Sequence, residues 1–317
     1  MPWQIGIDEA GYGPNLGPFV MTLVACRVPD DSAEVDLWDM LKSAVRRADE
    51  PADHRLIVAD SKLVYSSARG WDTLEKTVLS AHVGDATSTL QALLDHLAAT
   101  ELPLLRDEAW YVGDTSLPTE LAADDLAAGV SAWRQASQDA GVTWGFCQSA
   151  IVATPRFNDL IDKWDSKGAV LSVALSQLMQ RCLAVTAAEP MRFVVDKHGG
   201  RNLYSAVLQH AFADGMVLAE EEGRNRSVYR VEGLDRPVRI TFMPKADVKH
   251  FTVALASMIS KYVRELLMRE FNRYWQTHVP GLTPTAGYPN DAIRYFDAIR
   301  PAMVKLGLSE RQVWRKR

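Results

Sequence analysis

The sequence predicts an α/β fold, a central sheet flanked by helices, and three observations carry that prediction. Short apolar runs of strand character alternate with segments of helical periodicity. Two of those runs, 3–8 and 192–196, end in the aspartates Asp8 and Asp196 and pass into glycine-containing turns. A long segment opening at Asp247 places Phe251, Leu255, Met258, Ile259, Tyr262 and Leu266 at helical spacing.

The elements follow in order. Residues 3–8 alternate in character and 19–26 are almost wholly apolar, which predicts two strands around a turn, 11–18, that holds three glycines and two prolines. The pair Asp8-Glu9 therefore stands where a strand ends, a position from which side chains and backbone N–H groups reach a ligand. A helix is predicted near 35–48, then the short stretch Ala59-Asp-Ser-Lys62, then a helix over 66–81. From 82 to 144 helical pieces, 87–97 and 121–140, are joined by Pro103, Pro118 and the pair Gly113-Asp114, with no chemical constellation among them. This region is expected to be an inserted helical subdomain, with 1–81 and 145–317 forming the main domain. A strand at 144–152, a helix at 166–184, the strand 192–196, a helix at 202–212, β-rich pieces at 227–231 and 238–242, and the long helix complete the chain. The β-rich pieces predict a hairpin or a sheet edge.

The 317 residues are 47% hydrophobic and 24% charged, a balance that allows a sizeable core. No basic segment precedes an apolar stretch at the start, and the apolar run 19–26 is too short to span a bilayer as a helix. Three widely separated cysteines, Cys26, Cys147 and Cys182, lack the spacing of a zinc site or disulfide framework, so buried thiols and a cytoplasmic location are expected. The net charge of −5 argues against a general nucleic-acid binder, except where clustered carboxylates hold cations that reverse the local sign. The basic tail 311–317, with Trp314 inside it, suits either a nucleic-acid backbone contact or a frayed terminus.

Metal-assisted phosphodiester hydrolysis needs hard cations held by several carboxylates that converge from different segments. Asp8, Asp196 and Asp247 each lie at a junction of predicted elements. Taken singly, Asp8 and Asp196 serve equally as turn residues and Asp247 as a helix cap.

The run Gly6-Ile-Asp-Glu-Ala-Gly-Tyr-Gly-Pro-Asn-Leu-Gly-Pro18 resembles the signature of the ribonuclease HII family. Further stretches follow in that family's order: Asp60-Ser-Lys62, 157–167, Phe193-Val-Val-Asp196, Lys245-Ala-Asp247 with the alanine-containing helix 253–265, and Ala286-Gly-Tyr-Pro289. The likeness covers about 1–80 and 145–300. It implies a ribonuclease H-like mixed central sheet and an endonuclease that cuts the RNA strand of RNA/DNA hybrids or ribonucleotide-containing duplexes, leaving a 3′-hydroxyl and a 5′-phosphate. It further implies Mg²⁺ or Mn²⁺ held by Asp8, Glu9, Asp196 and Asp247, with Asp8 shared between two ions. Gly11 and Gly13 would then approach ribose 2′-hydroxyls, where a Cβ would hold the chain off. Tyr12 takes the place of the family's arginine in that turn. Tyr288 would pack on a sugar or base, although a core tyrosine is the plainer expectation.

Lys62 and Lys245 stand beside these segments as phosphate contacts or as solvated cations. Lys261 and Arg264 on the long helix fit phosphate contacts or an ordinary solvated face, and His198 and His250 fit loop or surface positions as well as proton shuttles. Tyr12 can stack but cannot bind phosphate bidentately, which points away from recognition of a single embedded ribonucleotide. The extra length between Asp196 and Asp247 predicts an added hairpin beside the cleft. Two other functions fit the same residues: a DNA nuclease or strand-transfer enzyme, and a nucleic-acid-binding protein that does not cut. Four acids retained together disfavour the last.

Overall fold

An apolar strand with no polar face needs cover on both sides, and Phe19–Arg27 is buried at every position but its last. In the computed structural model, which describes residues 1–29, 36–66, 70–83, 88–98, 102–186 and 188–316, that strand lies inside a seven-stranded sheet. The strands are β1 (Trp3–Ala10), β2 (Phe19–Arg27), the short parallel pair β3 (Val45–Arg46) and β4 (Leu56–Ile57), β5 (Thr143–Val152), β6 (Met191–Asp196), β7 (Met216–Glu222), β8 (Ser227–Glu232) and β9 (Val238–Met243). The large sheet runs β5-β2-β1-β6-β9-β8-β7. It is mixed, because β1 pairs parallel with β6 and β6 parallel with β9, while the other pairings are antiparallel.

The helices are α1 (Leu37–Met40), α2 (Ser61–Val64), α3 (Trp71–Val78), α4 (Leu90–Leu97), α5 (Leu102–Arg106), α6 (Ala123–Asp139), α7 (Thr154–Trp164), α8 (Gly168–Val185), α9 (Ser205–Ala211), α10 (Ala246–Lys249), α11 (Phe251–His278), α12 (Pro289–Lys305) and α13 (Glu310–Val313). Strand alternation sorts the core into two layers. Val20, Val24 and Cys26 face α3, α4, α6 and α11, whereas Ile5, Ile7, Phe19, Met21 and Leu23 face α7, α8 and α9. A third cluster joins the far half of α11 to α12 and α13 through Phe271, Trp275, Tyr295 and Val313. This is the mixed, helix-flanked sheet that the sequence predicts. Among the described residues α8 is long and apolar enough to cross a membrane, yet Val170, Leu171, Ala174, Leu175 and Leu178 bury one side of it against the sheet.

Several elements depart from expectation. The helix predicted near 35–48 is only the four residues of α1, followed by β3, and residue 35 lies outside the described residues. Residues 67–69 of the predicted 66–81 helix, and residue 87 of the next, also lie outside them. The helix from Asp247 is two helices, because His250 is extended (φ −126°, ψ 118°) and interrupts α10 before α11 begins. The β-rich pieces expected as a hairpin or a sheet edge do form that edge, with β9 joined to β6 and β8 and β7 paired antiparallel beyond it. Within 88–142, Leu90, Leu93, Leu94, Leu97, Leu117 and Trp133 enter the same core as α11. The buried carboxylate of Glu75 secures this region by accepting from the backbone of Thr119 (2.8 Å), Glu120 (3.0 Å) and Leu121 (3.2 Å).

Candidate active site

The site is built from the end of β1. Gly6 lies so near α11 that a Cβ there would fall 2.2 Å from the carbonyl carbon of Thr252, so glycine lets the helix pack directly on the strand. Two residues on, Asp8 emerges on the same face, where the Ser257 hydroxyl of α11 reaches its carboxylate. Ser260 Oγ lies 3.1 Å from the Asp8 carbonyl oxygen and 2.8 Å from Thr22 Oγ1, which pins the strand end.

The register of the parallel pair places the second acid. Ile7 faces Val195, so Asp8 and Asp196 follow at the same level of neighbouring strands about 4.8 Å apart. Asp196 Oδ1 accepts from Ala246 N (2.8 Å), and the backbone N–H groups of Lys197 and Lys245 add to its hydrogen bonding. Lys245 adopts a left-handed conformation (φ 57°), which turns the start of α10 back toward this carboxylate. Asp247 follows in the first turn of α10.

The four acids sense one another. Burial, then Glu9 and Asp196, raise the Asp8 carboxyl well above the ordinary carboxylate range. Burial and then Asp196 push Glu9 to about 8, and burial, Asp60 and Asp196 push Asp247 to about 6. Asp196 is raised mainly by burial. Lys62 opposes the crowding at Glu9, Asp196 and Asp247, which puts its ammonium within electrostatic reach of three acids. Asp60, which caps α2 through Lys62 N (2.9 Å), is a fifth carboxylate bearing on Asp247. Its Asp-Ser-Lys surroundings were its one signal in the sequence.

Such a cluster of buried and partly buried, mutually repelling carboxylates is a donor set suited to a hard divalent cation, whose charge would remove the repulsion. Among the described residues, no three His, Cys, Asp or Glu side chains are drawn close enough around one point to hold an ion as they are placed. The donors fit such an ion in kind and in neighbourhood.

Around this centre the turn 11–18 is held from behind. Gly11 has φ +85°, and a Cβ on it would lie 2.5 Å from Arg264 Nε, so glycine there serves the fold. Gly13 is the open one, with nothing within 4 Å of a would-be Cβ. The half-buried Tyr12 packs edge-on to Phe19, and Lys167 Nζ lies 4.8 Å from its ring centroid. Tyr288 is 46% exposed and therefore no core residue; the Arg264 guanidinium sits 5.7 Å from its ring centroid. Lys245 and Lys62 are exposed.

Four expectations change. Arg264 is fully buried and donates to the Ala286 carbonyl (2.8 Å), and Lys261 pairs with Glu265 (2.7 Å), so neither belongs to a freely solvated face. His198 is buried rather than on the surface; burial and then Arg201 lower it to about 3, which leaves the ring neutral. The described part of the basic tail, 311–316, is packed on the fold rather than frayed. Arg311 pairs with Asp159 and Asp162 (2.6 Å each), and buried Arg315 donates to the carbonyls of Gly11 (2.7 Å), Tyr12 (3.3 Å), Pro14 (3.0 Å) and Gly17 (3.3 Å). Arg317 lies outside the described residues.

No family model and no curated protein sequence matches this chain. Solved structures do. The ribonuclease H2 of Pyrococcus horikoshii OT3 is 14% identical, with a TM-score of 0.50 over 98% of this chain and 92% of that one. The RNase HII of Archaeoglobus fulgidus, solved with PCNA, is 15% identical over 99% and 94% of the two chains with a TM-score of 0.44. Bst-RNase HIII, solved in complex with Mn²⁺, is 14% identical over 99% and 66% with a TM-score of 0.46. The first of these likenesses establishes a shared ribonuclease H-like fold.

Proposed function

We propose that this protein is a divalent-metal-dependent endonuclease of the ribonuclease HII kind that hydrolyses the RNA strand of RNA/DNA hybrids. One observation carries the reading: Asp8 and Asp196 leave adjacent parallel strands at the same level, with Glu9 and Asp247 in electrostatic contact, in a chain of ribonuclease H-like fold. Asp8, Glu9, Asp196 and Asp247 would hold Mg²⁺ or Mn²⁺. Such ions supply Lewis-acid activation of water and neutralisation of the phosphate and leaving oxygen.

The protein's own groups do the positioning. Ser257 and Ser260 fix Asp8, and the N–H groups at the start of α10 fix Asp196. Gly13 leaves the backbone open to a ribose, whose 2′-hydroxyl distinguishes RNA from DNA. Tyr288, exposed above Arg264, offers a ring to a sugar or base, and Lys62 and Lys245 offer charge to the flanking phosphates.

The test incubates the purified protein and Mg²⁺ or Mn²⁺ with labelled RNA/DNA hybrid, DNA duplex, and duplex holding one ribonucleotide. Cutting of the RNA strand in the hybrid, with 3′-hydroxyl ends, is expected. Cutting of DNA duplex alone would instead support a DNA nuclease, and tight binding without cleavage a non-cutting binder.

A further inference from the structure

Beside the site, between α7, α8 and α9, lies a groove of about 570 Å³, within the range that holds a nucleotide-sized ligand. Its wall includes Trp164, which is 57% exposed, and its lining includes Val173, Val207, Ser172, Arg201 and His210. An exposed indole on a surface helix end is costly to leave in water and is well suited to stacking on a flat apolar partner.

The charge around the groove favours a polyanion. Lys163 Nζ lies 5.2 Å from the Trp164 ring centroid, Lys167 begins the next helix, and Arg201 forms the opposite end. Across 163–176 the one carboxylate is Asp165. Arg201 is held in place, its Nη1 donating to Ser172 Oγ (2.8 Å) and its Nε to the Leu203 carbonyl (2.8 Å). Cations with an exposed aromatic over an apolar floor are the elements with which proteins bind unpaired nucleotides.

Residues flanking the groove lead from it toward the candidate site by two routes. Lys167 bridges it to Tyr12, whose hydroxyl feels the charge of Glu9. Arg201 belongs to the loop that follows Asp196, where Gly199 and Gly200 have nothing within 4 Å of a would-be Cβ. A strand leaving the acids over either rim would therefore meet the groove.

We propose that this groove takes an unpaired nucleobase, stacked on Trp164, from a single-stranded stretch continuous with the duplex in the candidate active site; this rests on the nuclease reading above. Fluorescence anisotropy without divalent metal would compare a blunt RNA/DNA hybrid with the same hybrid carrying a short oligothymidine extension, for the intact protein and for Trp164→Ala and Trp164→Phe. The extension is expected to tighten binding by about tenfold, Trp164→Ala to abolish that gain while binding blunt hybrid normally, and Trp164→Phe to keep most of it. No gain from the extension, or a gain that survives Trp164→Ala, would overturn the proposal. Cleavage of blunt hybrid is scored separately. Activity with no extension effect defeats the groove alone, whereas tight binding of extended strands with no cleavage in Mg²⁺ or Mn²⁺ defeats the nuclease reading alone.

Discussion

Ile7 stands opposite Val195 in the parallel pair β1–β6, so Asp8 and Asp196 project from neighbouring strands at one level. Burial raises both carboxyls above the ordinary range, and at Asp8 the neighbouring charges of Glu9 and Asp196 raise it further. Acids crowded at such a cost are what the proposed cation site calls for, because a bound cation would relieve the repulsion.

Replacing either carboxylate by its amide separates function from fold. Asp8→Asn or Asp196→Asn should lower metal-dependent cleavage by about a hundredfold or more, because a neutral amide is a poor ligand for a hard cation. In metal-free buffer the same variants should be as stable as the parent, or more stable by ~1 kcal/mol, since a buried like-charge contact is removed. Urea denaturation checks this, and a clear loss of stability in both variants would mean that the acids hold the fold together.

The glycine turn gives a second test. Arg315 donates to four carbonyls of that turn from the far end of the chain, and is fully buried while doing so. Arg315→Met should strand those carbonyls and cost ~2–4 kcal/mol by denaturant titration. Cleavage should fall further than the folded fraction does, because Gly13 and Tyr12 lose their support. An unchanged midpoint would show that the tail merely rests on the turn.

How far the sequence disclosed this arrangement depended on the range of the interaction. Strand character and helical spacing are local, so 3–8, 19–26 and 192–196 were legible as strands and 251–266 as a helix. Asp8 and Asp196 could be placed at strand ends for the same reason. Their common level could not, because register between strands 188 residues apart in sequence is set by packing. The burial of Arg264 and Arg315 was hidden in the same way: each looks like a surface cation until α11 or the tail is laid against the turn 11–18. The extended backbone at His250, which splits the predicted helix, leaves no mark in hydrophobic spacing.

Tyr12 tests specificity. Its ring is set between Lys167 and Phe19, where the ribonuclease HII signature has an arginine. With no guanidinium to fork onto a phosphate, the protein should favour long hybrid over a single embedded ribonucleotide. Tyr12→Arg should raise the rate on the single-ribonucleotide duplex relative to the hybrid by about fivefold or more, on the order of 1 kcal/mol of added phosphate contact. Lys167 would then oppose the new charge, so pairing the change with Lys167→Gln should enlarge the effect. Equal preferences in all variants would remove Tyr12 from substrate choice.

Glu108 supplies the pH dependence. It is 9% exposed, its Oε2 accepts from Trp110 Nε1 (2.8 Å), the Thr154 backbone also bonds it, and its Oε1 has no hydrogen-bond partner among the described residues. Burial pushes its carboxyl up to about 7 from an unfolded value near 4.5. Between those values the native state keeps a proton that the unfolded chain has released, so stability falls as pH rises through that window. The contribution is complete below the unfolded value and gone above about 7, and amounts to something on the order of 1–3 kcal/mol. Glu108→Gln carries a permanent neutral stand-in, so the difference in stability between variant and parent should grow in the variant's favour from about pH 5 to about pH 8. Urea titrations at both ends measure that difference, from which the titrations common to the two proteins cancel. A difference that stays constant with pH would show that Glu108 is already ionised in the native protein, with its charge met by a partner or by water.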